Sequence, residues 1–423
     1  MPDPAAPCLA ELEALPVADR WPVARDWIRR APGPFFAQLR ERAPILDCGA
    51  VVLVARRADV AEILTLPSVF SVALYKPKMG SFMLALDGTE VNYRDKAVMR
   101  AVLPWGDLPA IRTRAGAITD GVLDAGGGSL DVVASIARLV PMRIVQEFLG
   151  FPAPDADLLR WSYANQLDQF NNLPFDGRPD AAKVQAAAEH ARAEMQAAFA
   201  SLIPARLAAI EAGANPPDDV LTRLLRLQMP VAAGFGIDRV VINVGGLLIG
   251  TIETTAEAVV NALAEILRRP DVHAAARAAA ADIAAFDGFV WEALRFAPIV
   301  AFMFRQAETD HVLGRGGPGA RRIQKGRVVL PLSLSAMFDA DWVPDPERFD
   351  PTRPDHAYLH FGLGHHECLG RYMAGVMIPE MVRRILLRDD LRAESAVEDD
   401  GTPFPTAFRI AYACDPAAVP DGH

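Results

Sequence analysis

Phe361-Gly362-Leu363-Gly364-His365-His366-Glu367-Cys368-Leu369-Gly370 is the stretch on which the reading of this chain turns. It sets one cysteine in a loop with three glycines, ahead of a helical run predicted over residues 371–387, with Pro379 as a kink. Glycine admits positive φ and close backbone approach where a side chain would clash. Free N–H groups and the dipole at a helix start favour a thiolate over a thiol. The sulfur of Cys368 is thereby kept anionic and aimed at a metal. Matching one Phe, three Gly, one His and one Cys at these spacings by chance has odds on the order of one in a million. Two plainer readings exist. A lone cysteine is most often a small buried hydrophobe. His360, His365, His366 and Cys368 are also permitted zinc ligands, although zinc explains neither the glycines nor Phe361.

Two further constellations lie upstream. Glu292-Ala293-Leu294-Arg295 puts an acid and an arginine three residues apart, hence on one face of a helix. Such pairs are common on solvated faces, but Trp291, Leu294, Phe296 and Ala297 surround this one with apolar neighbours, which predicts burial. In Leu247-Leu248-Ile249-Gly250-Thr251-Ile252-Glu253-Thr254-Thr255 an acid and an alcohol interrupt an apolar helix. Polar groups there are costly unless they serve something. The plain alternative is a helix break, with Thr254 bonding the carbonyl one turn back.

The rest of the chain bounds the class. At 423 residues, 51% apolar and 23% charged, it reads as a folded globular enzyme. A formal charge of −10 disfavours a nucleic-acid partner. Cys8, Cys48, Cys368 and Cys414 stand far apart, so the expectation is no disulfide framework and a cytoplasmic location. No apolar leader precedes residue 30, and the apolar stretch 240–263 carries Asn243, Thr251 and Glu253, so no membrane association is expected. The predicted organisation is a mainly α single domain with small β-sheets: residues 1–30 as an N-terminal extension and 31–423 as the domain. Its expected elements include a strand pair at Ile45–Asp47 and 51–54 turned at Gly49, a long loop over 71–91 and a helix from about Asn92 to Leu103. Helical spacing follows over 130–150, then a helix pair over 182–213 interrupted at Pro204, a helix over 274–294, and late strands near 322–330 and 408–413.

The pattern F-G-x-G-x-H-x-C-x-G resembles the haem-ligand loop of the cytochrome P-450 monooxygenases, whose Cys thiolate pushes electron density that favours O–O cleavage. Collinear likenesses support it. The Glu292/Arg295 pair and Asp345-Pro346-Glu347-Arg348-Phe349 resemble that family's Glu-Arg-Arg network, and Gly250 to Thr255 resembles its distal helix. Leu130 to Pro152 and Asp218 to Thr222 resemble the segments before that helix. The likeness spans about residues 35–413. It implies the cytochrome P-450 fold, with haem b between a distal helix at about 237–268 and the Cys368 loop. Cys368 is then the iron ligand, and Phe361, Gly362, Gly370 and Gly250 border the haem. Glu253 and Thr254 orient water and relay protons toward dioxygen, with Thr251 standing where the family usually has glycine. Arg305 and His366 resemble the propionate partners. Asn92 and Lys96 join them if one inserted residue is allowed in the run 87–96, with Arg94 as an alternative. Without the insertion Val91 and Asp95 take those places, and an aspartate would repel propionates.

The same resemblance implies insertion of one oxygen atom from dioxygen into a hydrophobic small molecule. Electrons are expected from a separate ferredoxin and ferredoxin reductase, with Arg371, Arg112 and Arg114 as a basic docking patch. Expected pocket residues are Leu74, Tyr75, Phe82, Met83 and Leu84, then Gly246 and Ile249, then Ile299, Val300 and Phe302, then Phe404 and Phe408. Two rivals are a peroxide-driven peroxygenase of the same fold, which does not need an acid–alcohol pair, and a non-catalytic haem sensor.

Overall fold

The computed structural model describes residues 8–317 and 319–413; Cys414 and residues 1–7 of the N-terminal extension lie outside them. The described chain forms two compact units, neither continuous in sequence. One gathers residues 8–92, Pro174–Gly177 and Pro298–Cys368; the other gathers Tyr93–Leu173, Arg178–Ala297 and residues 369–413. No linker separates them, so no single cut of the chain releases either.

The first unit carries the larger sheet. Its strands run in the order Ile45–Asp47, Val52–Val54, Val328–Pro331, Arg305–Ala307, Phe70–Ser71. The first two form the expected antiparallel hairpin, with Ile45 opposite Val54. Gly49 turns it at φ 73°, where an added Cβ would meet the Val17 carbonyl at 2.7 Å. Val52 pairs in parallel with Val329, which faces Arg305 across an antiparallel ladder. These short β-branched runs bury Val52, Val54, Phe70 and Val329 against Val60, Ile63 and Leu64 of the helix Arg57–Thr65. Helices Cys8–Glu13, Arg20–Arg30 and Pro32–Arg42 bury Leu9, Leu12, Trp21, Ile28, Phe35, Phe36 and Leu39. Each large side chain so buried contributes roughly 1.5–3 kcal/mol.

The second unit is helical, built around Ile237–Leu267. By length and composition alone this helix could cross a membrane, yet 67% of its most apolar window is buried within the protein. It packs against Asp155–Asn171, Ile283–Phe296, Arg371–Leu386 and Leu139–Glu147. Those neighbours supply the apolar surroundings that its Leu248, Ile252, Val259 and Leu263 need. A three-stranded sheet (Ser129–Asp131, Arg409–Ala411, Arg392–Ala393) and a strand pair (Glu398–Asp399 with Pro405–Ala407) complete the unit.

Three local expectations are corrected. The predicted helix pair over 182–213 is one helix, Ala181–Glu211, that runs through Pro204. Pro204 and Ala200, whose carbonyl loses its donor, are both exposed, so water can satisfy the freed oxygen. The helical spacing over 130–150 resolves into the strand Ser129–Asp131, a π-helical turn Val133–Ala137 and the helix Leu139–Glu147. The loop over 71–91 contains the short helix Lys76–Met79 and turns at Ala73–Tyr75 and Met83–Ala85.

Candidate active site

The 361–370 loop is half-buried, with Gly364 and Cys368 exposed. Gly362 and Gly364 sit at φ 73° and 74°, and a Cβ on Gly364 would lie 3.0 Å from the Leu64 carbonyl. Two glycines are thus required by backbone conformation, one of them also by close approach. The Cys368 N–H closes the loop onto the Phe361 carbonyl at 2.9 Å. Cys368 is exposed, whereas Cys8 and Cys48 are buried. Burial pushes the Cys48 thiol up to about 12 and raises that of Cys8, so both are inert. An exposed cysteine is unusual for a residue type that ordinarily packs inside. Among the described residues no three His, Cys, Asp or Glu side chains assemble as a metal-holding group, so the zinc reading finds no cluster.

Arg305 opens the strand Arg305–Ala307 of the first unit's sheet and is 4% exposed. It donates to the Phe304 carbonyl at 2.8 Å and shares a hydrogen bond with the Tyr75 hydroxyl. Burial lowers the guanidinium's pKa and lifts that of Tyr75 to about 12. His366 Nε2 meets Asp87 Oδ1 at 2.8 Å, and Asp87 Oδ2 accepts the Val72 N–H at 2.8 Å. The Asp87 carboxylate also acts on Arg305. His366 thus pairs with a carboxylate whose charge also reaches Arg305. The reading of the sequence gave Asp87 no role.

Asn92 is fully buried, and its amide donates to the carbonyls of Met83 at 2.5 Å and Leu86 at 2.9 Å. Its amide hydrogens brace the preceding loop, and its Oδ1 accepts nothing. Lys96, one turn further along Glu90–Ala101, is buried. Asp95 on that helix is fully buried and turned onto the central helix. Its Oδ1 takes Arg94 Nε at 2.9 Å, and its Oδ2 takes Arg239 Nε at 2.7 Å and Asn243 Nδ2 at 2.8 Å. That clasp occupies Asp95.

Side-chain donors gather on the backbone of the central helix at the predicted segment. Thr251 and Thr254 hydroxyls donate to the carbonyls of Leu247 at 2.6 Å and Gly250 at 2.5 Å. From Asp155–Asn171, Gln166 Nε2 donates to the Ile249 carbonyl at 2.7 Å, and the Ser162 hydroxyl donates to the same carbonyl at 3.4 Å. Extra donors on neighbouring carbonyls loosen a helix there. Gly250 is exposed in the middle of a buried helix, and no atom lies within 4 Å of where its Cβ would be. Leu247, Thr251 and Thr254 flank this open face, each half-buried.

Glu253 points elsewhere. It is 1% exposed, and Arg138 Nε and Nη2 both reach its Oε2, at 3.0 and 2.9 Å. Burial raises the Glu253 carboxyl's pKa, while Arg138 pulls it back. The π-helical turn aims the arginine: the Arg138 N–H bonds the Val133 carbonyl at 3.2 Å, five residues back. Such turns recur where a helix must present a functional group. Nothing in the sequence marked Arg138, since its partner lies 115 residues away.

Glu292 and Arg295 are both fully buried and make a two-pronged pair at 2.9 and 2.7 Å. Arg348, in the first unit, pairs with Asp350 at 2.6 Å and keeps a side chain 67% exposed. The basic patch is largely neutralised: Arg112 pairs with Asp287 and Arg114 with Glu147, both at 2.6 Å.

The family model described as Cytochrome P-450 matches residues 146–400. Erythromycin C-12 hydroxylase of Saccharopolyspora erythraea is 31% identical over 375 residues, 84% of this chain and 88% of that protein. Cyclomarin C epoxidase of Salinispora arenicola is 28% identical over 319 residues, covering 72% and 73%. The solved structure of cytochrome P-450 CYP109Q5 from Chondromyces apiculatus superposes with a TM-score of 0.74 at 27% identity, over 92% of this chain and 97% of that one.

Proposed function

This chain belongs to the cytochrome P-450 family and is an oxidoreductase, a haem-thiolate monooxygenase; we propose that Cys368 supplies the thiolate and that the substrate is a hydrophobic small molecule. The observation that carries this reading is the exposed Cys368 in a loop held open by left-handed glycines. Haem b fits the residues present. The thiol is presented rather than packed, His366 pairs with a carboxylate whose charge also reaches the buried Arg305, and the central helix leaves a side-chain-free face at Gly250. When bound, the haem supplies the activation of dioxygen by two electrons and the insertion of one oxygen atom into substrate.

The residues divide the remaining work. Phe361, Gly362 and Gly370 shape the loop around Cys368. Arg305, His366 and Lys96 neutralise the propionates with charge-assisted hydrogen bonds. Asn92 can add a donor only by releasing Met83 or Leu86. Thr254 holds a hydroxyl at the open face, bonded to the Gly250 carbonyl, and would be the group that can turn a proton toward that face. Glu253 is the acid behind it, and its proton affinity is set by burial against Arg138. Electrons come from a separate ferredoxin and its reductase, in a cytoplasmic setting.

The apolar character of the substrate is supported by an aromatic cluster in the first unit. Tyr75 stacks on Phe304 at 4.3 Å, Phe175 meets Phe304 at 6.0 Å, and Trp21 meets Phe302 at 6.3 Å between centroids. Relatives named for erythromycin and cyclomarin C point the same way. The test is a spectral titration of purified holoprotein. The reduced carbonyl complex should show the strongly red-shifted Soret band of a thiolate ligand. Apolar ligands should drive the low-to-high-spin shift at lower concentration than polar analogues of equal size. A Soret band at the histidine-ligated position would overturn the ligand assignment, and tighter binding of highly polar compounds would overturn the substrate class.

A further inference from the structure

Among the described residues the helical unit buries the carboxylates of Asp95, Asp168, Asp219, Glu253, Glu257, Glu265, Glu292 and Glu380. All but one have an arginine within ion-pair distance. Asp95 has Arg239, Asp168 has Arg192 and Asp219 has Arg206. Glu253 has Arg138, Glu265 has Arg268, Glu292 has Arg295 and Glu380 has Arg383. Glu257 is the exception: 7% exposed, it has no hydrogen bond or ion pair with any described residue.

Glu257 lies four residues after Glu253 on the central helix, so the two side chains share a face. Burial and, after it, the charge of Glu253 hold the Glu257 carboxyl well above the ordinary range. Several charged groups on the packed elements are committed to other partners. Arg138 serves Glu253, Tyr163 bonds Asp400, Arg295 serves Glu292, and Arg383 and Arg384 serve Glu380. A buried carboxyl without a cation keeps its proton. The face therefore holds two carboxyls, one guanidinium and one proton.

We propose that Glu257 is the proton store behind Glu253, a second carboxyl that refills the first after it has given a proton toward the open face of the helix. This rests on the reading of Glu253 and Thr254 as the proton-delivering pair. In the step, the O–H bond of Glu257 breaks and an O–H bond forms on Glu253 Oε1, the oxygen that Arg138 does not hold, directly or through one water. The negative charge moves from Glu253 to Glu257, which then takes a proton from water. No net charge enters or leaves the site, but the charge moves away from Arg138 to a carboxyl without a cation, so the transfer runs uphill until Glu257 takes its proton from water.

Infrared titration of the full-length protein tests the store without any turnover. Near pH 7 the wild type should show the C=O stretch of a buried protonated carboxyl, absent in Glu257→Gln. In Glu253→Gln the same band should titrate at lower pH, because a repelling charge is gone. In the holoenzyme, Glu257→Gln should leave the substrate-induced spin shift intact and cut product formed per electron at least about tenfold, with a changed solvent isotope effect. That loss is smaller than the ~100-fold of a directly acting acid, because water can partly refill Glu253. Glu257→Gln mimics the protonated side chain and should fold like the wild type; Glu257→Leu, with no carboxyl at all, should repeat its loss of coupling. Absence of the Glu257 band refutes the store. A band with unchanged coupling and isotope effect refutes the delivery. The infrared arm needs no haem, so a failure of the haem reading shows in the carbonyl spectrum alone.

Discussion

Replacing Arg138 by leucine removes the cation from a carboxylate that is 1% exposed, and its cost can be worked from the geometry. Both hydrogen bonds to Glu253 Oε2 vanish, and no second arginine pairs with that side chain among the described residues. Leaving a charge buried and unpaired costs about 3–5 kcal/mol. The side chain can instead take a proton, which near pH 7 costs roughly 2.7 units at 1.36 kcal/mol each, about 3.7 kcal/mol. The two routes agree, so the expected loss is about 3–4 kcal/mol near neutrality. Its sign with pH follows from the direction of the shift. Without Arg138 the folded-state pKa of Glu253 rises further above its unfolded value. The folded protein then binds the extra proton, and stability falls as pH rises from the unfolded pKa through the folded one. Arg138→Leu should therefore be nearly as stable as the wild type near pH 4–5 and lose ground toward pH 8. Adding Glu253→Gln should recover most of the loss at pH 8, since the uncharged amide needs no cation. Urea unfolding of the wild type, both single variants and the double variant at three pH values gives the full cycle. A pH-independent deficit, or a double variant no better than Arg138→Leu, would show that the arginine acts by packing and that Glu253 carries no buried charge.

Cys368→Ser should abolish the red-shifted Soret band of the reduced carbonyl complex while circular dichroism keeps its helical signal; a retained band would remove Cys368 from the iron. Glu292→Ala and Arg295→Ala should each cost about 3–5 kcal/mol and give little soluble holoprotein, because each strands a fully buried partner; normal yields of both would mean the pair is dispensable. Thr254→Ala should leave substrate binding near normal and divert electrons to peroxide, and unchanged coupling would move the role to Thr251. Gly364→Ala should lower haem retention, since the new Cβ is strained at φ 74° and 3.0 Å from the Leu64 carbonyl; full retention would mean that the loop tolerates another backbone path.

The features legible in the sequence were those that depend on neighbours along the chain. Glycine spacing around Cys368 is local chemistry, and the structure gives two of those glycines positive φ. Glu292 and Arg295 are three apart on one helix, and apolar neighbours foretold their burial. The hairpin at Gly49 and the apolar run of the central helix were equally local. What escaped were partners supplied by distant elements. Arg138 reaches Glu253 across 115 positions through a π-helical turn that ordinary helical spacing conceals. Gln166 bonds the Ile249 carbonyl, a backbone atom that leaves no mark in the sequence. Asp87 joins His366 across 279 positions. Pro204 misled for the opposite reason, since its helix-breaking cost is met by solvent on an exposed face.

The placement of Glu253 links this limit to the chemistry. An acid next to an alcohol on a helix suggests two groups acting together at one surface, yet residues one apart lie about 100° apart around a helix and cannot share a face. The structure uses that angle. Thr254 stands at the open face beside Gly250, while Glu253 is drawn to the buried side by Arg138. The acid is thus held on the buried side by an ion pair that favours its anion, so it must take up a proton before it can give one. That separation makes the proton affinity of Glu253 depend on Arg138 and on its neighbour Glu257, and it is why the stability cycle and the infrared titration examine the same piece of machinery from two sides.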